Sequence, residues 1–187
     1  MKGWWAVVAA MGLVGAVERS DDSRSTLIKN YRSWKKVTEA PVDMSMALAA
    51  SCIGPTRWDR SDNPHVPKAF LVYVNKIGEK AMMVSGKTIF PDGTVIVKEK
   101  YDRSDLTKGE SHGLVFYRTV KDGAKPILLT VMAKKDGVWS YFAVDGSGKV
   151  IEGDSASCAK CHEANKENDF AFRSYVRGAP LAPRPWN

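Results

Sequence analysis

The chain has 187 residues, 44% of them hydrophobic and 26% charged, with a formal net charge of +7. That is the composition of one ordinary soluble domain, with room for a real core. The basic residues are dispersed: Arg32, Lys35 and Lys36 fall in one segment and Lys98 and Lys100 in another, with no basic block or RNA-binding signature, which argues against a nucleic-acid partner.

In chain order, Lys2, the apolar run from Trp4 to Ala16 and the polar shift at Glu18–Asp22 read as a signal peptide over residues 1–16. The run is short for a spanning helix and no later stretch is long enough, so no membrane span is expected after cleavage. Leu27, Ile28, Tyr31 and Trp34 recur at helical spacing, predicting a helix from Ser25 to Lys36, stopped before Pro41. Met44–Ile53 is a second short apolar segment; Cys52 within it reads as a small hydrophobe. Arg57–Pro67, rich in Asp and Pro, is a loop.

Strands follow. Ala69–Val74 is β by composition, Asn75–Val84 a short helix, Phe90-Pro91-Asp92-Gly93 a turn, and Thr94–Tyr101 a clear strand. Ile127–Ala133 and Val138–Val144 are joined through Asp136-Gly137, a hairpin signal. Phe170, Phe172 and Tyr175 suggest one last short helix, and residues 177–187 form a Pro-rich tail. The expected architecture is α+β but mostly β: an antiparallel sheet with peripheral helices in a domain over residues 25–176, closed by a C-terminal cofactor-bearing segment.

That segment carries Cys158-Ala159-Lys160-Cys161-His162. C-x-x-C-H is the attachment signal for c-type haem. Each thiol can add to one haem vinyl group, one helical turn presents both sulfurs to the same macrocycle edge, and the adjacent imidazole can ligate iron. A zinc site would need a second ligand pair, and only Cys52, His65 and His112 remain, scattered along the chain. A redox dithiol would follow a strand in a βαβ unit, which is not the context here. The cofactor read from the sequence is therefore haem c, covalently bound through Cys158 and Cys161, with His162 as the iron ligand. Haem attachment outside the cytoplasm agrees with the leader and places the protein in the periplasm or otherwise outside.

The order strand, Phe90–Glu99, aromatic hairpin, Ser157–His162 resembles the cytochrome P460 family, with Val72–Asn75 and Trp139–Phe142 as supporting pieces. The resemblance runs from Tyr31–Lys36 to Phe170–Tyr175. It implies a mostly β fold, an exported c-type haem and an open iron site. Some members oxidise hydroxylamine and carry a lysine joined to the haem ring; the related β-type cytochromes c′ have apolar pockets and bind nitric oxide or carbon monoxide. On this likeness Lys98 is the residue at the haem edge, nearer than Lys100, which stands toward the polar exit at Asp102-Arg103. Phe70 and Thr130 occupy regions where polar distal groups would be sought. Strand alternation sets Val95, Val97 and Glu99 on one face and Thr94, Ile96, Lys98 and Lys100 on the other, so Glu99 points away from Lys98, and Glu110 lies in a loop.

The reading that results is redox or ligand chemistry on small nitrogen species at an open iron. No catalytic residue is assigned. A non-enzymatic gas binder and a six-coordinate electron carrier, with a methionine such as Met44, Met46, Met82, Met83 or Met132 on iron, are the alternatives. His65 and His112 read as surface residues. The partners implied are a small nitrogen-containing or diatomic ligand and a redox protein, with a homodimer left open.

Overall fold

The computed structural model describes residues 23–43, 68–111, 114–151 and 155–176. The leader, the Met44–Ile53 segment, the Arg57–Pro67 loop, Cys52, His65, His112 and the C-terminal tail lie outside the described residues.

The described chain is mostly antiparallel sheet with a few short helices. Strands β1 (Lys35–Lys36), β2 (Val42–Asp43), β3 (Lys68–Val74), β4 (Val95–Asp102), β7 (Leu128–Lys135), β8 (Val138–Asp145) and β9 (Val150–Ile151) form one sheet in the order β1-β3-β4-β7-β8-β9, with β2 also paired to β3. A separate hairpin joins β5 (Leu106–Ser111) to β6 (Leu114–Val120). Apart from one helical turn at 23–27, the α-helices of the described residues are α1 (Glu79–Met83) and α2 (Ser155–Glu163). The β7–β8 turn uses Asp136 and Gly137 at φ 52° and 76°, the positive-φ pair that an Asp-Gly hairpin requires.

Registers run straight across the sheet, so side chains sort by row. Val72 stands opposite Lys98, Lys98 opposite Thr130, and Thr130 opposite Ala143. The neighbouring rows on that face are Phe70, Lys100 and Leu128, and Val74, Ile96, Met132 and Tyr141. Phe70, Val72, Val74, Ile96 and Met132 join Met82, Phe90, Trp139 and the C-terminal Ala171 and Val176 in one core. The opposite face buries Val95, Val97, Leu129, Val131 and Val144 under Ile28, Tyr31 and Trp34. The expected alternation of β4 is therefore the observed one.

Three expectations need correction. The helix expected over Ser25–Lys36 is helical only at 23–27, followed by a 3-10 turn at Tyr31–Ser33. Lys35 and Lys36 instead pair with Val74 and Tyr73, so sheet hydrogen bonds replace helical ones. The helix over Asn75–Val84 shrinks to α1 because the Asn75 side chain accepts from the Gly78 N–H, holding a turn first. The β5–β6 hairpin was not anticipated, and Glu110 sits exposed on strand β5 rather than in a loop.

Glu99 is the most unusual member of the second face. It is 1% exposed, and its carboxylate accepts from the Tyr31 hydroxyl at 2.5 Å, Arg32 Nε at 2.7 Å and the Tyr101 hydroxyl at 2.9 Å. A buried carboxylate is tolerable only when its lone pairs are met in this way. This cluster pins the 31–34 turn to the back of the sheet. Replacing Glu99 by Ala leaves these donors without an acceptor and should cost about 2–3 kcal/mol, less than a fully buried pair because Arg32 is half in water; a melting temperature lowered by roughly 5–10 °C checks it. Burial, followed by the Glu99 charge, pushes the Tyr73 phenol up to about 12, and burial pushes Tyr31 and Tyr101 up too. Unfolded phenols ionise near pH 10, so the stability Tyr73 contributes is complete below pH 10 and is lost as pH rises through about 12. Melting temperatures across that window should fall less steeply for Tyr73→Phe than for the parent protein.

Candidate haem site

Helix α2 sets out the C-x-x-C-H run on about two turns, with Cys158 and Cys161 one helical turn apart and His162 next to the second thiol. Neither thiol is in a disulfide. Both cysteines are half-buried, and α2 packs mainly on β8.

The His162 ring lies between Tyr141 of β8 and Phe172, each with its ring centre 5.1 Å away. Its Nδ1 is 2.6 Å from the Phe170 carbonyl oxygen. A carbonyl can only accept, so Nδ1 carries the proton and Nε2 keeps the lone pair, the tautomer an iron ligand needs. Burial lowers the His162 pKa to about 4, and the Lys98 and Lys100 charges push the same way against the Phe170 hydrogen bond. The imidazole is thus neutral at any physiological pH. Two thiols and an imidazole with a free Nε2 on one short helix, beside an aromatic wall, are a donor set that fits haem c.

The carbonyl that orients His162 comes from an improbable backbone. Asp169 and Phe170 have φ of 52° and 65°, the left-handed region, which costs a non-glycine residue about 1–3 kcal/mol each. The Asp169 carboxylate holds the turn: it accepts from Phe90 N–H at 2.7 Å, Lys134 Nζ at 2.6 Å and Trp139 Nε1 at 3.2 Å. Lys134 Nζ also donates to the Phe90 carbonyl at 2.9 Å. Phe90, which opens the Phe-Pro-Asp-Gly turn, thereby brackets the ion pair with both its backbone groups. Further on, Arg173 donates to the carbonyls of Ala81, Val84 and Gly86, satisfying the end of α1. The last helix expected around Phe170–Tyr175 is absent: the chain makes a 3-10 turn at Lys166–Asn168, then an irregular stretch and a second turn closed by the Val176 N–H on the Arg173 carbonyl, while Asp169 and Arg173 spend their side chains on distant partners.

Of the other residues singled out in the sequence, Lys98 and Phe70 share one sheet face, with Lys98 Nζ 4.7 Å from the centre of the Phe70 ring. Phe70 is 2% exposed and meets Tyr175 edge-on. Thr130 stands in the Lys98 row. Lys100 departs from expectation: it is 1% exposed and Lys98 only half-buried. The strand does not exit there: β4 runs on to Asp102, with Lys100 in the row of Phe70 and Leu128. Met82 and Met132 are core residues and Met83 is exposed. Glu99 faces away, as alternation requires.

The sequence reading missed Lys134, Asp169 and Tyr141. A signal for Lys134 was present, since Met132 and Lys134 share one face of a strand that continues to Lys135. Nothing in the sequence marks Asp169 as left-handed. Burial of Lys100 is directly testable: brief acetylation of the native protein should label Lys76, whose side chain is 91% exposed, and leave Lys100 unlabelled in the digest.

A family model described as Cytochrome P460 matches residues 28–173. No curated protein matches the chain.

Proposed function

This chain belongs to the cytochrome P460 family and is a monohaem c-type cytochrome; from that premise we propose that it is exported and handles small nitrogen species, hydroxylamine or nitric oxide, at an open iron site. The observation that carries the reading is the His162 imidazole, packed between Tyr141 and Phe172 with Nδ1 committed to the Phe170 carbonyl and Nε2 left for iron. Cys158 and Cys161 would hold the haem through thioethers. When bound, the haem would supply an iron able to change valence and to take a small ligand.

The chain's own residues do the rest. His162 gives one fixed axial donor. Phe70, Val72 and Ile96 offer an apolar wall on the sheet face that Lys98 and Thr130 share. Met82 and Met132 belong to the packed core, which favours an iron without a sulfur ligand. Lys98, half-buried over the Phe70 ring, is the residue we assign to the haem edge, joined to the ring or paired with a propionate, as a partner for its charge. The first sixteen residues would be removed on export, leaving a mature chain that begins near Val17.

A second reading rests on a specific observation. Hydroxylamine oxidation calls for a base within hydrogen-bonding reach of the substrate, and two carboxylates among the described residues are committed elsewhere: Glu99 to Tyr31, Arg32 and Tyr101 on the far face of the sheet, and Asp169 of the C-terminal turn to Lys134, Phe90 and Trp139. An apolar face of this kind favours a non-enzymatic nitric oxide or carbon monoxide binder of the cytochrome c′-β type.

The mature protein, exported from a host able to attach haem c, decides between these. Its intact mass should exceed the polypeptide by one haem, and Cys158→Ala or Cys161→Ala should weaken or abolish two-bond attachment. Turnover of hydroxylamine with an added electron acceptor supports the enzyme; nitric oxide binding without turnover supports the gas binder; haem lost on acid extraction contradicts both. A digest retaining haem on the Lys98 peptide as well as the Cys158 peptide would establish the lysine bond, and a spectrum unchanged in Lys98→Ala would remove Lys98 from the site.

A further inference from the structure

We propose that Asp169 and Lys134 are positioning residues for the axial histidine, tuning the iron by fixing the carbonyl to which His162 donates. The inference rests on the reading of His162 as the iron ligand. An imidazole that donates strongly from Nδ1 gains anionic character at Nε2, becoming a stronger donor that favours ferric over ferrous iron. How strongly His162 donates depends on where the Phe170 carbonyl stands, now 2.6 Å from Nδ1.

That carbonyl stands where it does because two successive non-glycine residues adopt left-handed backbone, Asp169 at φ 52° and Phe170 at φ 65°. Local backbone bonds, Asp169 N–H to Lys166 and Phe170 N–H to Asn165, begin the turn but leave it adjustable. The Asp169 carboxylate removes the freedom. It gathers donors from three separate places, the Phe90 turn, Lys134 on β7 and Trp139 on β8. Its side chain is 11% exposed and that of Lys134 6%, so neither has water to fall back on. Lys134 is locked in turn by the Phe90 carbonyl and lies over the Trp139 ring at 5.7 Å.

The C-terminal segment has a second, independent anchor in Arg173, which reaches the end of α1. Docking of the segment and placement of the carbonyl are therefore separable. Loss of Arg173 loosens the former; loss of Asp169 or Lys134 disturbs the latter.

The test uses the haem-loaded protein and four variants: Asp169→Asn, Lys134→Met, Trp139→Phe and Arg173→Gln. The iron–histidine stretching frequency of the ferrous form, the reduction potential and the melting temperature are measured for each. Asp169→Asn and Lys134→Met should lower the stretching frequency and raise the potential. The double variant should go little beyond the larger single change, since both act through one network. Trp139→Phe, which removes one donor and is the gentlest change, should shift both in the same direction by less, and serves if Asp169→Asn fails to mature. Arg173→Gln should lower the melting temperature alone. The proposal is overturned if Asp169→Asn, Lys134→Met and Trp139→Phe change only the melting temperature, or if Arg173→Gln moves frequency and potential equally. A parent protein without covalent haem, or with iron not bound to His162, would instead refute the underlying reading, and is seen before any variant is compared.

Discussion

The two-residue period of β4 is the constraint on which the rest of the molecule hangs. Adjacent residues of one strand send a carboxylate to one side of the sheet and ammonium groups to the other: Glu99 backward to Tyr31, Arg32 and Tyr101, Lys98 and Lys100 forward beside Phe70 and Val72. A slip of one residue would exchange every pair, burying Lys98 among donors that need an anion and turning Glu99 into the apolar core. Pairing on both sides, to β3 and β7, makes such a slip costly along the whole strand. Register, and with it the side to which Lys98 and Phe70 point, is thus secured by charge as well as by packing.

On that forward face the C-terminal segment does what a longer helical wrap does in small helical cytochromes. A nine-residue helix carries both thiols and the histidine, and everything that orients them lies elsewhere in the chain. Tyr141 comes from β8, and the carbonyl on Nδ1 from a left-handed turn held by a lysine of β7 and the Phe90 turn. The two thiols and the imidazole are local in sequence, but their surroundings are a property of the whole sheet.

Much of this was legible in the amino acids. C-x-x-C-H speaks for itself because its chemistry needs that spacing, and β3, β4, β7 and β8 are rich in β-branched and aromatic residues between clear turns. The alternation on β4 followed from the strand alone. What escaped was decided by tertiary partners. Lys35 and Lys36 left a helical pattern because β3 offered backbone partners. The β5 strand, Leu106-Thr107-Lys108-Gly109-Glu110-Ser111, is too polar to announce itself, and only its pairing with β6 makes it β. Lys100 looked like a strand exit beside Asp102 and Arg103, yet β4 continues to Asp102 and the Lys100 side chain is buried on the face that carries Phe70. Asp169 gave little sign, since an Asp tolerates positive φ but Phe170 beside it does not, and donors from the Phe90 turn and from β7 and β8 had to converge on it.

The central claim is an iron held by His162 alone, with the opposite position open behind an apolar wall. The optical spectrum of the ferrous protein, recorded before and after carbon monoxide, tests it most directly. The account predicts a high-spin, five-coordinate ferrous spectrum that converts fully to the carbon monoxide complex without a side chain being displaced. A low-spin ferrous spectrum that resists carbon monoxide, and becomes responsive only in Met82→Ala or Met132→Ala, would contradict it and make the protein an electron carrier.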